Sequence, residues 1–304
     1  MARLVDFHSH FFSRTFFETL AEQSPLPGSI DQRMQRVARV AGIDLPENDE
    51  RHLARWLTEM ESYGVGHMLT LASVPQERPV VAAAVRASGG RLSGLLVHDP
   101  TQPEAVDRLA DALSADRFRG VLLFPAMHGY RPDAREVAPS LAVLGEHRGI
   151  ALVHCGALRI PLRDRFGLPR RYDLALANPL HLVPAADANP LVRFVVPHFG
   201  AGFFRETLLA GAQCENIHVD TSSANGWIKT QPERLTLVDV FERALGVFGP
   251  RRILFGTDSS VFPRGWRHDL LLSQREALGA CGLSGADRQR ILGGNAGELL
   301  GLEA

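Results

Sequence analysis

The sequence predicts an α/β fold, a (β/α)8 barrel built as a single domain. Three observations lead there. Short apolar and often β-branched runs recur along the chain, many of them ending in turn or polar residues. Helix-like stretches separate them, the alternation expected of βα units on a parallel sheet. Eight such units within 304 residues match the size of a closed barrel. The rival fold, a doubly wound dinucleotide-binding sheet, wants GxGxxG directly after its first strand. Here the first strand runs into His-Ser-His. The nearest glycine pattern, FGAGFF at 199–204, follows the sixth strand and lacks the third glycine.

Taken in order, strands are predicted at 3–8, 66–73, 91–97, 120–124, 150–154, 192–197, 216–220 and 252–257. Helices are predicted at 49–63, 79–88, 103–114, 134–148, 180–188, 203–213, 232–247 and 270–280, with two short ones near 284–292 and 294–302. Pro103-Glu104 and Pro232-Glu233 serve as first-turn signals. Two inserts stand outside this pattern. Residues 11–48, after strand one, hold Phe11, Phe12, Phe16 and Phe17, the turn SPLPGS and a helix over 31–41. Residues 156–178, after strand five, hold Arg159, Arg163, Arg165, Arg170 and Arg171. Both belong at the C-terminal face of the barrel, where catalytic loops gather. They form either a lid or packed surface with a solvated charged face.

Hydrophobic residues make up 45% and charged residues 22%, with a net charge of −1. A sizeable core is expected, and a field-scale attraction to nucleic acid or membrane is not. Cys155, Cys214 and Cys281 show no CxxC spacing, which argues against a disulfide framework. With no apolar leader and no run of transmembrane length, a cytoplasmic location is the expectation. Of 33 basic residues only Lys229 is a lysine.

The chemistry starts at DFHSH, residues 6–10. In a chain with 12 histidines about half an HxH is expected by chance, so the motif alone is weak. Its position says more. Strand alternation puts His8 and His10 on one side, and Asp6 with them. His154 ends strand five in LVHCG, His198 ends strand six in VVPHFG, and Asp258 ends strand eight in LFGTDSS. In a closed barrel these ends share one mouth. Imidazoles and a carboxylate gathered this way suit zinc, iron(II) or manganese. His98 and His128, at the ends of strands three and four, either line that mouth or pack structurally. Trp227, in SSANGW after strand seven, either walls the pocket or joins the core. Asp6 either orients a histidine or bonds within the barrel. Cys155 should turn away from the mouth by alternation. The lack of a GxSxG elbow excludes a serine hydrolase of that type.

The series DFHSH, ALVHCG, FVVPHFGAG, RILFGTDSS and ILGGNAGELLGL resembles the amidohydrolase superfamily, over residues 4–302. It looks most like the branch that groups metal-dependent hydrolases with aminocarboxymuconate-semialdehyde decarboxylase-like enzymes. The resemblance implies that His8, His10 and His154 ligate a metal. It implies that Asp258 touches the metal or its water and acts as the base, and that His198 polarises water or substrate. Binuclear relatives bridge two metals with a carbamylated lysine at the end of strand four. Here that strand ends VLLFPAM, with Phe124 near the place and Lys229 after strand seven. One metal is therefore expected, zinc first, with manganese or iron(II) as alternatives.

The function expected is hydrolysis of a small carboxylic ester, lactone or amide by metal-activated water. One alternative is non-oxidative decarboxylation of an unsaturated or aromatic acid, with Arg51, Arg159 or Arg163 as the cation for its carboxylate. Another is a non-catalytic metal- or ligand-binding barrel, which fits less well because an open mouth leaves a coordination place for water. The partner expected is a small-molecule substrate such as a carboxylate, and family analogy suggests a homodimer.

Overall fold

The computed structural model describes residues 4–302, so Arg3 of the predicted first strand lies outside the described residues. Eight parallel strands follow one another around the sheet in chain order. They are β1 (Leu4–His10), β2 (Val65–Ala72), β3 (Leu92–His98), β4 (Gly120–Leu123), β5 (Ile150–Val153), β6 (Arg193–Val196), β7 (Ile217–Asp220) and β8 (Ile253–Leu254). The chain beyond β8 runs alongside β1. Phe7 N donates to Phe255 O, Asp258 N to His8 O and His10 N to Ser259 O, each at 2.8 Å. The sheet thereby closes into a (β/α)8 barrel.

Strand alternation creates two apolar layers. Val5, Phe7, Leu69, Leu71, Leu122, Leu152 and Val195 fill the barrel. Met60, Val81, Leu109, Val121, Phe194 and Val219 meet across the strand–helix interface outside it. Cys155 is buried in that outer layer, on the side away from the mouth.

β1 breaks the alternation. Asp6 pairs with Met68 and Ser9 with Thr70, so three steps on β1 oppose two on β2. This is a bulge, which re-aims the residues beyond it. Phe7 stays in the barrel interior, His8 turns to the mouth as well, and Asp6 falls on the outer side, where Trp266 Nε1 donates to it at 2.8 Å. The expectation that Asp6 shares the side of the histidines assumed an unbroken pleat, and the bulge overturns it.

The first insert folds as α1 (Arg14–Gln23) and α2 (Ile30–Ala41), followed by α3 (Asp49–Ser62). Ser13 caps α1, and a Ser29–Gln32 capping box starts α2. Phe12, Phe16, Phe17 and Leu20 pack with Leu162, Phe166 and Leu168 of the second insert in an apolar cluster of their own. Ser24 Oγ also donates to Phe166 O. The two inserts thus form one cap.

Two first-turn signals are displaced. Helix 105–114 begins after Glu104, which sits at φ 59°, and helix 237–248 begins at a Thr236–Asp239 capping box. Pro103-Glu104 and Pro232-Glu233 therefore precede their helices. At the C-terminal end, Asn295 Nδ2 donates to Pro250 O and Ile253 O, both at 2.8 Å, and ties the last helix to β8.

Candidate metal centre

His8, His10 and Asp258 bring ligand atoms within 4.8 Å of one another at the barrel mouth. Asp258 Oδ1 lies 3.2 Å from His10 Nε2 and 3.9 Å from His8 Nε2. The far nitrogens are engaged elsewhere. His8 Nδ1 lies 2.8 Å from Asp220 Oδ2, and His10 Nδ1 lies 2.7 Å from Ser73 Oγ. His198 stands 4.9 Å from His8 and 5.3 Å from His154, ring centre to ring centre. His154 joins the cluster at its margin. Among the described residues it belongs to no close triplet of ligand atoms, and its buried Nδ1 has no hydrogen-bond partner.

Asp220 is the functional residue that sequence reading passed over. It is fully buried and accepts from His198 N at 3.0 Å, from Ser222 N at 2.9 Å and from Ser222 Oγ. A carboxylate closing strand seven in NIHVD carried the same positional signal as His154 and Asp258. Its bond to His198 N also supports the left-handed backbone there, φ 56° at His198 and 53° at Phe199, a region that residues other than glycine rarely enter.

These contacts fix where the protons sit. Burial disfavours ionised Asp220, but His8 and then His198 outweigh it and hold the carboxyl below its ordinary range. An ionised Asp220 accepts the Ser222 hydroxyl proton. Ser222 Oγ, 2.8 Å from His198 Nδ1, must then accept from that nitrogen. A neutral His198 so arranged keeps a lone pair on Nε2. Burial opposes the charge on His8, but Asp220, then Asp258 and Asp6, outweigh it and raise its pKa, so His8 offers Nε2 to a cation by giving up the proton there. Burial lowers the pKa of His198 and of His10. It pushes His154 down to about 3, helped by His198 and His8. Burial also opposes ionisation of Asp258, yet His10, then His198 and His8, hold its carboxyl below the usual range. Neutral His10, His154 and His198 beside an ionised carboxylate, with His8 releasing its proton on binding, suit a divalent cation. Between Asp258 Oδ1 and His10 Nε2 there must be a proton or a cation. The donor set fits the metal.

The other predicted site residues divide. His98 Nε2 lies 2.8 Å from Ser140 Oγ on helix 138–146, in the outer layer, because alternation along β3 turns it away from the mouth. Trp227 donates to Asn225 Oδ1 at 2.9 Å and packs 5.4 Å from Phe204, again in the outer layer. Arg51 is exposed and paired with Glu47, while Arg159 is exposed 3.6 Å from Asp164. Arg163 is half-buried with its Nε unpartnered, as is Nδ1 of nearby half-buried His128. Phe124 stands between His128 and His154, 6.2 and 5.5 Å from them. One exposed cation near Asp258 is a residue the sequence did not single out. Arg264 Nη2 donates to Ser260 Oγ at 3.0 Å, two residues beyond Asp258, and is in no ion pair among the described residues. Its neighbour Arg267 is bound to Asp269 at 2.6 Å.

A closed (β/α)8 barrel with imidazoles and carboxylates gathered at its mouth defines a class of metal-dependent enzymes. A family model described as amidohydrolase matches residues 5–302, and the chain belongs to that family. No curated protein matches it. Among solved structures it is similar to the 5-carboxyvanillate decarboxylase of Sphingomonas paucimobilis, at 15% identity, TM-score 0.68 and full coverage of both chains. It is also similar to a putative 2-pyrone-4,6-dicarboxylic acid hydrolase of Pseudomonas putida, at 19% identity and TM-score 0.62, covering 100% of this chain and 99% of that one. A third is a 5-carboxyvanillate decarboxylase of Novosphingobium aromaticivorans with bound manganese, at 13% identity and TM-score 0.64, covering 99% and 97%. The superfamily comprises metal-dependent hydrolases and decarboxylases, and the chain is an enzyme of that kind. No helix among the described residues is long and apolar enough to cross a membrane.

Proposed function

We propose that this enzyme is a mononuclear metal-dependent hydrolase of a small carboxylic ester, lactone or amide. One observation carries the reading: Asp258 Oδ1 faces the Nε2 atoms of His8 and His10 at 3.9 and 3.2 Å while both far nitrogens are tied back. His8, His10, His154 and Asp258 would hold one divalent ion, zinc first, with manganese or iron(II) as alternatives. When bound, the ion supplies Lewis acidity and lowers the pKa of water. Phe124, with its ring 5.5 Å from His154, occupies the end of β4 where a second metal would need a bridging lysine.

Asp258 takes the proton from the attacking water and returns it to the leaving group. His198, with a free Nε2, serves as a second proton acceptor. It can donate to a developing oxyanion only after it has been protonated, which narrows the polarising role expected from sequence. Arg264, and more distantly Arg163 with His128, would orient a substrate carboxylate.

Decarboxylation of an unsaturated or aromatic acid is the second reading, favoured by the same cations. Protein purified without chelator should carry close to one metal per chain, lost in His8→Ala/His10→Ala. A metal-free wild type with an intact fold would refute both readings. Measuring CO2 release against acid release over lactones, amides and hydroxybenzoates separates them. Asp258→Asn should keep its fold and lose turnover.

A further inference from the structure

Glu77 is wholly buried and takes part in no ion pair among the described residues. An unpaired buried carboxylate is costly unless its oxygens are saturated with donors. Burial outweighs its hydrogen bonds and pushes the Glu77 carboxyl up to about 7, yet donors reach both of its oxygens from two directions. Its Oε1 accepts from Ser13 N at 2.7 Å and Ser13 Oγ at 2.9 Å, and its Oε2 accepts from Ser73 N at 2.8 Å. Those serines head two different structures. Ser13 caps α1 at the root of the cap, with Oγ accepting from Phe16 N at 3.3 Å. Ser73 follows β2 and places its Oγ 2.7 Å from His10 Nδ1. The His10 ring also packs 4.8 Å from Phe12, which stacks 3.9 Å from Phe16 of the cap cluster.

We infer that Glu77 is a positioning residue that couples the cap to the metal centre, locking the root of α1 and, through Ser73, the ring of His10 with one carboxylate. Its retention as an acid follows from the donor count. Three donors arrive on both oxygens, and an amide could accept on only one side. With Nδ1–H donated to Ser73 Oγ, and that hydroxyl turned toward Leu71 O at 3.4 Å, His10 keeps the lone pair of Nε2 for the metal. Metal binding and cap closure then share one anchor, and coupling through an anchor is reciprocal. A metal that fixes His10 must also hold the cap.

The inference rests on His10 being a metal ligand, so the probe is cobalt(II) alone, followed by its visible spectrum and by the rate at which trypsin cleaves the cap at exposed Arg36 and Arg39 on α2. Cobalt should slow cleavage of the wild type at least about fivefold, the lower range of allosteric coupling. Glu77→Gln should bind cobalt about 10–100-fold more weakly with an altered spectrum, and cobalt should no longer protect its cap. Should Glu77→Gln fail to fold, Ser73→Ala, which keeps the clamp on Ser13 but cuts the link to His10, should bind cobalt yet lose the protection. A wild type that binds no cobalt overturns the metal reading and the coupling with it. Normal cobalt binding with equal protection in wild type and Ser73→Ala overturns the coupling alone.

Discussion

Asp6→Asn probes how the barrel closes beneath the metal centre. Asp6 is wholly buried and accepts from His8 N at 3.0 Å, Thr257 N at 3.1 Å, Trp266 Nε1 at 2.8 Å and Thr257 Oγ1. Burial outweighs those bonds and pushes its carboxyl from the ordinary 3.8 up to about 6. The folded state therefore binds this proton more tightly than the unfolded chain does. The group's contribution to stability is fully present below about pH 4, falls as pH rises, and is gone above about pH 6. A gap of about two units corresponds to ~3 kcal/mol. Asparagine does not titrate, and its amide accepts on one side only. The Thr257 hydroxyl can rotate to meet it, whereas Trp266 Nε1–H cannot, and a buried unsatisfied donor costs about 1–3 kcal/mol.

The variant should thus be less stable than wild type by about 1–3 kcal/mol near pH 4. That difference should shrink by about 2–3 kcal/mol by pH 7, vanishing or reversing. Urea unfolding of chelator-treated protein across this range, read by tryptophan fluorescence and extrapolated to water, measures it. Chelation removes the metal at neighbouring His8 from the comparison. A wild-type-minus-variant difference that stays constant from pH 4 to 7 would refute the reasoning.

Other perturbations test the surrounding geometry. A Cβ on Gly256 would lie 2.9 Å from His8 Cβ and 3.0 Å from Ser222 Cβ, so Gly256→Ala should destabilise by about 1–3 kcal/mol and weaken metal binding, as calorimetric titration would register. Asp220→Asn removes the charge that orients His8 and should cost about 10–100-fold in metal affinity, measured by competition with a chelator. Arg264→Gln should raise KM about tenfold for carboxylate-bearing substrates, the loss of one charge-assisted bond; an unchanged KM would remove Arg264 from the substrate site.

The barrel was legible because eight apolar runs and their helices follow simple periodicities, and because strand ends carry the chemistry. That placed His8, His10, His154, His198 and Asp258 at one mouth. Alternation failed where the backbone departs from it. The bulge in β1 leaves no mark in DFHSH, yet it separates Asp6 from the histidines. His98 ends its strand as His154 does, but sits one step out of phase and faces Ser140. Asp220 was missed although its position matched the pattern, since an acid closing a strand reads equally as a turn former. The arginines of 156–178 drew attention as a cluster, while Arg264 gains its place only from the path of the chain after β8.

The polarity of the site bears on which reaction it runs. Ester, lactone or amide hydrolysis starts by removing a proton from water, and a site with ionised Asp258 and a free Nε2 on His198 is ready to accept one. Decarboxylation must deliver a proton to carbon, so one of these groups has to be charged with a proton first, and the imidazoles around Asp258 resist that at its carboxyl. The two readings therefore predict opposite acid limbs. A hydrolase loses activity as pH falls and its acceptors fill. A decarboxylase that draws its proton from His198 or Asp258 gains activity over the same range. A pH–rate profile on the acid side, with products identified as acid or CO2, distinguishes them. The hydrogen-bond relay from Asp220 through Ser222 to His198 predicts the first limb.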